Sequence, residues 1–308
     1  MEPPKVQAHE QMATWKAKLA LTLGLAQGRS RIKKLRFEGP LRVQKLFYPE
    51  KAAPGQIETC HLYLLHPPGG LVSGDYLEHD FRLIEGAGAL ITTPAATKVY
   101  RARDERSLQM VKSLVFVDQG SVLEWFPQGT IVFDGARASL AQYFDLSLGA
   151  RALGCDLLAL GRPASNQPFS SGSLGQLTQI LRGPKPLFHE RLFLRGGEAL
   201  LTSPLGLMGR PVMALFWAVG RADQASDLEA LRDCLKMLQS QADFGPRPYH
   251  LSQKADPVFS VTLRQGLLLA RALTWTLQEA EAFRFRVWSV VRPRLLGREA
   301  QPPQIWST

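Results

Sequence analysis

Cysteine is scarce in this 308-residue chain: Cys60, Cys155 and Cys234 are three isolated thiols with no paired spacing. That argues against a secreted disulfide framework and fits a reducing compartment. Long apolar runs are missing too. The longest clearly apolar stretch, Val212 to Val219, is far below the ~20 residues a bilayer crossing needs. Met1-Glu2-Pro3-Pro4 lacks the basic start and apolar run of a signal peptide. A soluble cytoplasmic protein with no membrane partner is the expectation.

Nucleotide and hydrolase signatures are also wanting. Gly24 to Ser30 is one residue short of a phosphate-binding loop and carries Arg where the phosphate lysine belongs. Gly86-Ala87-Gly88 lacks the third glycine of a dinucleotide fingerprint and precedes a strand rather than a helix. There is no G-x-S-x-G, H-E-x-x-H, C-x-x-C or EF-hand loop. The six histidines are scattered. Cys60, His61 and His66 come nearest to a metal cluster, yet in an extended strand His61 and His66 point to opposite faces.

What is present is basic and β-rich. Net charge is +10 and the pI about 9.7, which favours acidic partners. Residues 16–45 hold nine Lys or Arg against one acid, Glu38, interleaved with Leu19, Leu21, Leu23, Leu25, Ile32, Leu35 and Phe37. This reads as a charged edge strand; a nucleic-acid stripe is the alternative, weakened by the lack of interleaved stacking aromatics. Residues 1–14 read as a loose arm and 15–308 as one mainly-β domain. From about 41 to 220, short strands alternate with turns every 10–15 residues. Along Tyr76 to Ile84, Leu77, His79, Phe81 and Leu83 share one face. Val122 to Phe126 is apolar on both faces, which predicts stacked layers. The fold class is therefore layered short strands in a β-helix, solenoid-like or sandwich arrangement. No fixed-length repeat is legible.

Helices come late. Ser226-Asp227-Leu228-Glu229 has capping-box form and opens a helix over about 226–241, with Leu228, Leu231, Leu235 and Leu238 on one face. Val258 to Leu273 reads as a hairpin turning near Gly266. A second amphipathic helix over about 278–291 buries Phe283, Val287, Val290 and Val291 and is stopped by Pro293. The tail, 297–308, is Pro-rich and irregular.

Four segments set polar groups into apolar β sequence: His66 to Asp75, Thr92 to Arg101, Leu123 to Ala136 and Leu158 to Ser165. With Gly39 to Lys45, Arg294 to Ala300, Pro302-Pro303 and Ile305-Trp306, the ordered set resembles the urease accessory protein D family. Residues 170–290 match only in general character.

The resemblance implies a non-catalytic maturation factor for urease. Such a protein binds apo-urease and recruits accessory protein F, which carries the GTPase accessory protein G. That assembly delivers nickel and allows carbamylation of the active-site lysine. It also implies a mostly β fold of helical layers with two helices near the C-terminus, and no tightly bound cofactor. A metal in transit needs oxygen or nitrogen ligands that let it leave again. Asp75, Glu78, Thr92, Thr93, Glu124 and Asp134 are the candidate nickel-route residues. Lys98, Arg101 and Arg162 are candidate ion-pair partners, because buried acids need partners. Two readings of the acids stay open: buried ion pairs and turn-fixing bonds, or the lining of a metal route. Two other functions compete. One is a basic nucleic-acid-binding β protein; the other is a hydrolase using Asp75 and Glu124 as acid and base. The exposed tail around Trp306 reads equally as a partner surface or as a strap folded back on its own sheet.

Overall fold

The computed structural model describes residues 15–50, 58–220, 229–233, 236, 247–251 and 254–307. The 1–14 arm, Cys234 and the capping residue Ser226 lie outside the described residues. So does most of the 226–241 helix, of which residues 229–233 and 236 are helical.

Two sheets and a helix make three layers. The first sheet contains β1 (Trp15–Ala26), β2 (Arg29–Glu38), β6 (Asp75–Leu83), β9 (Gln109–Val117), β12 (Arg137–Leu146), β14 (Ser173–Arg182) and β15 (Lys185–Arg195). Their spatial order is β15-β14-β12-β9-β6-β1-β2. The second sheet is built on β3 (Arg42–Val43), β4 (Cys60–Leu65), β7 (Gly88–Thr92), β10 (Val122–Phe126), β13 (Arg151–Leu160), β16 (Val212–Val219), β17 (Val258–Arg264) and β18 (Leu267–Thr274). Short strands β5 (Gly70–Leu71), β8 (Thr97–Val99) and β11 (Thr130–Val132) extend it at one end.

The middle of the chain coils. β6, β7 and β8 form one turn and β9, β10 and β11 stack on it in parallel, followed by β12 and β13. Tyr76 pairs with Met110 and Gly88 with Val122, each 34 positions on. Gln109 pairs with Ala138 and Val122 with Arg151, each 29 positions on. The coils differ in length because the third loop varies, so a solenoid exists without a fixed sequence period.

Hairpins close both ends. β1 and β2 turn at Gln27 and Gly28, which both have positive φ, as a type I′ turn demands. β17 and β18 form the expected hairpin around Gly266.

β7 and β10 are buried at every position and β13 at all but its first, because the second sheet is covered on both sides. Leu123, Trp125, Ala152 and Leu158 face the first sheet. Val122, Phe126, Leu153, Cys155 and Leu157 face the C-terminal helix. Gly154 leaves room for Trp217: a Cβ there would lie 2.6 Å from the indole.

That helix, α1, spans Leu277–Leu296. The Thr276 hydroxyl accepts the Glu279 N–H (3.2 Å), and the Glu279 carboxylate accepts the Trp275 N–H (2.8 Å), so the first turn is capped reciprocally. The expected stop at Pro293 is corrected. The helix passes through it, forfeiting one backbone bond, and ends at Gly297 in the left-handed conformation. Leu295 and Leu296 are buried in that extra turn, and the packing offsets the lost bond. Val290 is only half-buried, unlike Phe283, Val287 and Val291. The tail is not wholly irregular: Gln304–Ser307 forms a 3-10 turn that folds back on the helix side of the second sheet. Among the described residues, no helix is long and apolar enough to cross a membrane.

Candidate functional site

The residues singled out from sequence do not converge. Asp134 sits in the turn after β11 and accepts the N–H groups of Ser170 and Ser171 (2.8 Å each) and the Ser171 hydroxyl (3.0 Å). It also pairs with Arg101. Desolvation pulls the other way, but these donors hold its carboxyl below the usual range. Asp75 is buried at the head of β6, accepting the Val72 N–H (2.8 Å); burial raises its pKa. Glu78 lies on the solvent side of the first sheet, bonded by the Tyr76 hydroxyl and by Lys18 (3.3 Å). Thr93 donates to the Ala95 carbonyl (3.0 Å) and accepts the Gln128 N–H (2.9 Å). Of the cations, Arg101 finds an acid. Arg162 donates to Gln167 (3.2 Å) and lies over the Phe133 ring, and Lys98 is exposed. Among the described residues neither Lys98 nor Arg162 forms an ion pair, and no three metal-binding side chains cluster.

Glu124 belongs to a different arrangement. β10 alternates strictly, so Glu124 points away from the inter-sheet core and toward α1. There it accepts Nε (2.9 Å) and Nη2 (2.8 Å) of Arg292 and the indole N–H of Trp288 (2.9 Å). Arg292 also donates to Glu50 (2.7 Å) and to the Glu299 carbonyl. Glu50 in turn contacts His61 Nε2 (2.9 Å). Arg292 is 0% and Glu124 1% exposed. Burial opposes ionisation of Glu50, yet the bonds from His61 and Arg292 hold its pKa down to about 2. The tail is tied in beside this network. Thr92 donates to the Phe126 carbonyl and accepts the Trp306 indole N–H (2.8 Å), while Arg284 lies 4.0 Å from the Trp306 ring centroid. Of the two readings of the tail, the folded-back strap is therefore the one observed. Asp75 is buried at the head of β6 on the Val72 N–H and Glu124 is buried beneath α1 on Arg292 and Trp288, so the two do not face one another as a hydrolase's acid and base would.

The space between the sheets holds the groups that sequence reasoning missed. His79, Ser113, Gln142, Thr178 and Glu190 are register neighbours across β6, β9, β12, β14 and β15. They form one continuous polar row on the core-facing side of the first sheet. His79 Nδ1 lies 3.0 Å from the Ser113 hydroxyl, and Gln142 donates to Asp156 of β13 (2.7 Å). Glu190 pairs with Arg271 at the far end. A cavity of about 290 Å³ opens onto the near end, bordered by His66, His79, Ser113, Gln142, Trp125 and Thr93. A second cavity, bordered by Asp156, Glu190 and Arg271, opens onto the other.

Four buried polar atoms along this path, His66 Nε2, Trp125 Nε1, Gln142 Oε1 and Asp156 Oδ2, have no hydrogen-bond partner among the described residues. Such groups are costly unless water or a ligand meets them. Burial drives the Asp156 pKa up to about 6 and the His79 pKa down to about 4, so both resist carrying charge. His79, Ser113 and Gln142 are each a single polar residue between apolar neighbours on a core face, as in Leu77-x-His79-x-Phe81, whereas Thr178 follows Gln176 on the same face of β14. That signal was visible; the register joining them was not. His61 does point to the opposite side of the second sheet from His66, as expected.

Comparison with known proteins bears on this architecture as a whole. A family model described as UreD urease accessory protein matches residues 16–307. A urease accessory protein UreD from Hahella chejuensis is 39% identical over 296 residues, covering 96% of this chain and 91% of that relative. One from Chromohalobacter salexigens is 40% identical over 297 residues, covering 96% and 89%. One from Pseudomonas aeruginosa is 41% identical over 294 residues, covering 96% and 95%. These relatives are named as accessory proteins, not as catalysts. With the mainly-β layers and the C-terminal helix in place, the chain belongs to the UreD family of urease accessory proteins.

Proposed function

We propose that this protein acts in urease maturation as a non-catalytic scaffold, and that nickel on its way to apo-urease moves along the polar row between the two sheets. The observation that supports this reading is the row itself. Imidazole, hydroxyl, amide and carboxylate groups stand in line from His79 to Glu190, with four unpartnered polar atoms along the path. Imidazole nitrogen and carboxylate oxygen suit a borderline divalent ion, and single donors release it more readily than a cage would. Cys60 and Cys155 do not compete: both are buried, and burial raises both thiol pKa values, to about 12 for Cys60.

The partners in this reading are apo-urease, accessory protein F and, through F, the GTPase accessory protein G. Thr93 borders the entrance cavity and stays a route candidate; Lys98, expected as an ion-pair partner, borders the same cavity. Asp75, Glu78, Thr92, Glu124 and Asp134 act as structural groups, because each is engaged by the bonds described above.

The test is urease activation in cells supplying this protein as Gln142→Leu or Asp156→Asn. Retained assembly with apo-urease and accessory protein F, together with nickel-poor and inactive urease, supports the route. Normal nickel content with both variants overturns it. Separately, normal urease activity in cells lacking this protein overturns the maturation role.

A further inference from the structure

β2 is the last strand of the first sheet, and among the described residues no strand pairs with its outer side. Among the described residues, the backbone on that side is engaged only at its start. Glu58 bridges Arg29, and the Tyr48 hydroxyl donates to the Ser30 carbonyl. Among the described residues, positions 31–38 thus leave alternate N–H and C=O groups unpaired along about 27 Å of edge.

Its two faces differ sharply. Ile32, Leu35 and Phe37 pair with Leu23, Leu21 and Leu19, so they lie on the face that elsewhere forms the core. The second sheet does not reach over them, and they are 37%, 36% and 51% exposed. Lys34 and Arg36 pair with Thr22 and Ala20 on the opposite face, beside Lys16 and Lys18. A bulge at Lys33 keeps this division in register. Among the described residues Lys34 and Arg36 form no ion pair. Charge alone would blunt an edge; three large apolar side chains in a row undo that protection unless something covers them.

We infer that β2 is a docking edge for an extended, acidic segment of a partner protein, which adds to the sheet as an eighth strand. Backbone pairing to residues 31–38 supplies affinity. Alternate apolar side chains of the segment meet Ile32, Leu35 and Phe37, and its acids meet Lys34 and Arg36. A nucleic acid fits less well, because it makes no use of a free strand edge and the stripe lacks a series of interleaved stacking aromatics. The nickel route does not depend on this edge, so the two readings fail separately.

The experiment is amide hydrogen exchange on the full chain with a ten-residue peptide alternating Glu and Val. Three further probes are the same peptide N-methylated at alternate residues, a Lys–Val counterpart and a duplex DNA. The Glu–Val peptide is expected to protect residues 31–38, and neither other peptide does so. The double substitution Lys34→Glu/Arg36→Glu, on exposed positions, weakens binding by about tenfold or more. Equal binding of the methylated peptide, or indifference to the charge reversal, overturns the inference. Protection by DNA but not by the peptide assigns the edge to nucleic acid instead. Protection already present in the free protein and lost on deleting residues 1–14 assigns it to the chain's own arm.

Discussion

Arg292 and Glu124, 168 positions apart, form a forked ion pair wholly removed from solvent, with Nε and Nη2 at 2.9 and 2.8 Å from the two carboxylate oxygens. It joins the last turn of α1 to the middle of the second sheet. Burying two charges is expensive, and the pair offsets that cost only because Trp288, Glu50 and the Glu299 carbonyl complete the bonding.

Replacing Arg292 with Met therefore leaves two buried carboxylates short of a partner. A loss of about 3–5 kcal/mol is expected for the single variant. The double variant Arg292→Met/Glu124→Leu regains part of it, because Glu124 is then no longer stranded, while Glu50 has lost Arg292 and keeps its His61 contact. Urea denaturation of the four proteins in the cycle measures the coupling. Additive losses would show that the pair contributes nothing as a pair.

Asp156 should make the protein less stable at neutral pH than in mild acid. Its carboxyl has a pKa of about 6 in the fold against 3.8 as reference, so the native state keeps the proton longer than the unfolded chain. The stabilisation is complete below the unfolded value and disappears as pH rises to about 6. Asp156→Asn is expected to gain roughly 1–3 kcal/mol at pH 7.5 and almost nothing at pH 4. If Asp156 also receives nickel, the more stable variant is the poorer activator, and a urease assay beside the melting curves reads both effects.

Trp306 should report on the seating of the tail. Thr92→Val deletes the acceptor of its indole N–H while keeping the shape of the side chain. A cost of about 1–2 kcal/mol is expected. Trp306→Ala also removes the ring packed against Phe126 and Trp288, and about 3 kcal/mol is expected. Limited proteolysis after residue 297 measures the release; unchanged cleavage would mean the strap does not hold.

Gly154→Ala tests the packing between the second sheet and Trp217. The new methyl would come within 2.6 Å of the indole and 3.0 Å of the Trp125 carbonyl. A loss of about 1–3 kcal/mol is expected from overpacking, measured as a lower midpoint in urea.

The layers were legible because double burial leaves apolar residues on both faces of a strand, as with Val122, Leu123, Trp125 and Phe126 around Glu124. The alternation of Leu77, His79, Phe81 and Leu83 puts these four side chains on one face of β6, and in the fold that face is the buried one. The inner polar row was not legible. It depends on pairing His79 with Ser113 and Ser113 with Gln142, and the two spacings differ because the coils are unequal. The role of Glu124 was hidden for a similar reason. Its partners Trp288 and Arg292 lie on α1, too distant in the chain for local pattern to connect them. Pro293 misled because local propensity favours an end there, and tertiary contacts of Leu295 and Leu296 prevail.

Glu124 and Trp125 are consecutive residues of one strand facing opposite ways. The first is gripped by α1 and the second walls the inner space. No hinge separates them, so a displacement of α1 is passed through one peptide unit to the Trp125 wall of the inner cavity. If nickel moves along the polar row as proposed, a partner seated on α1 would thereby alter the width of its path.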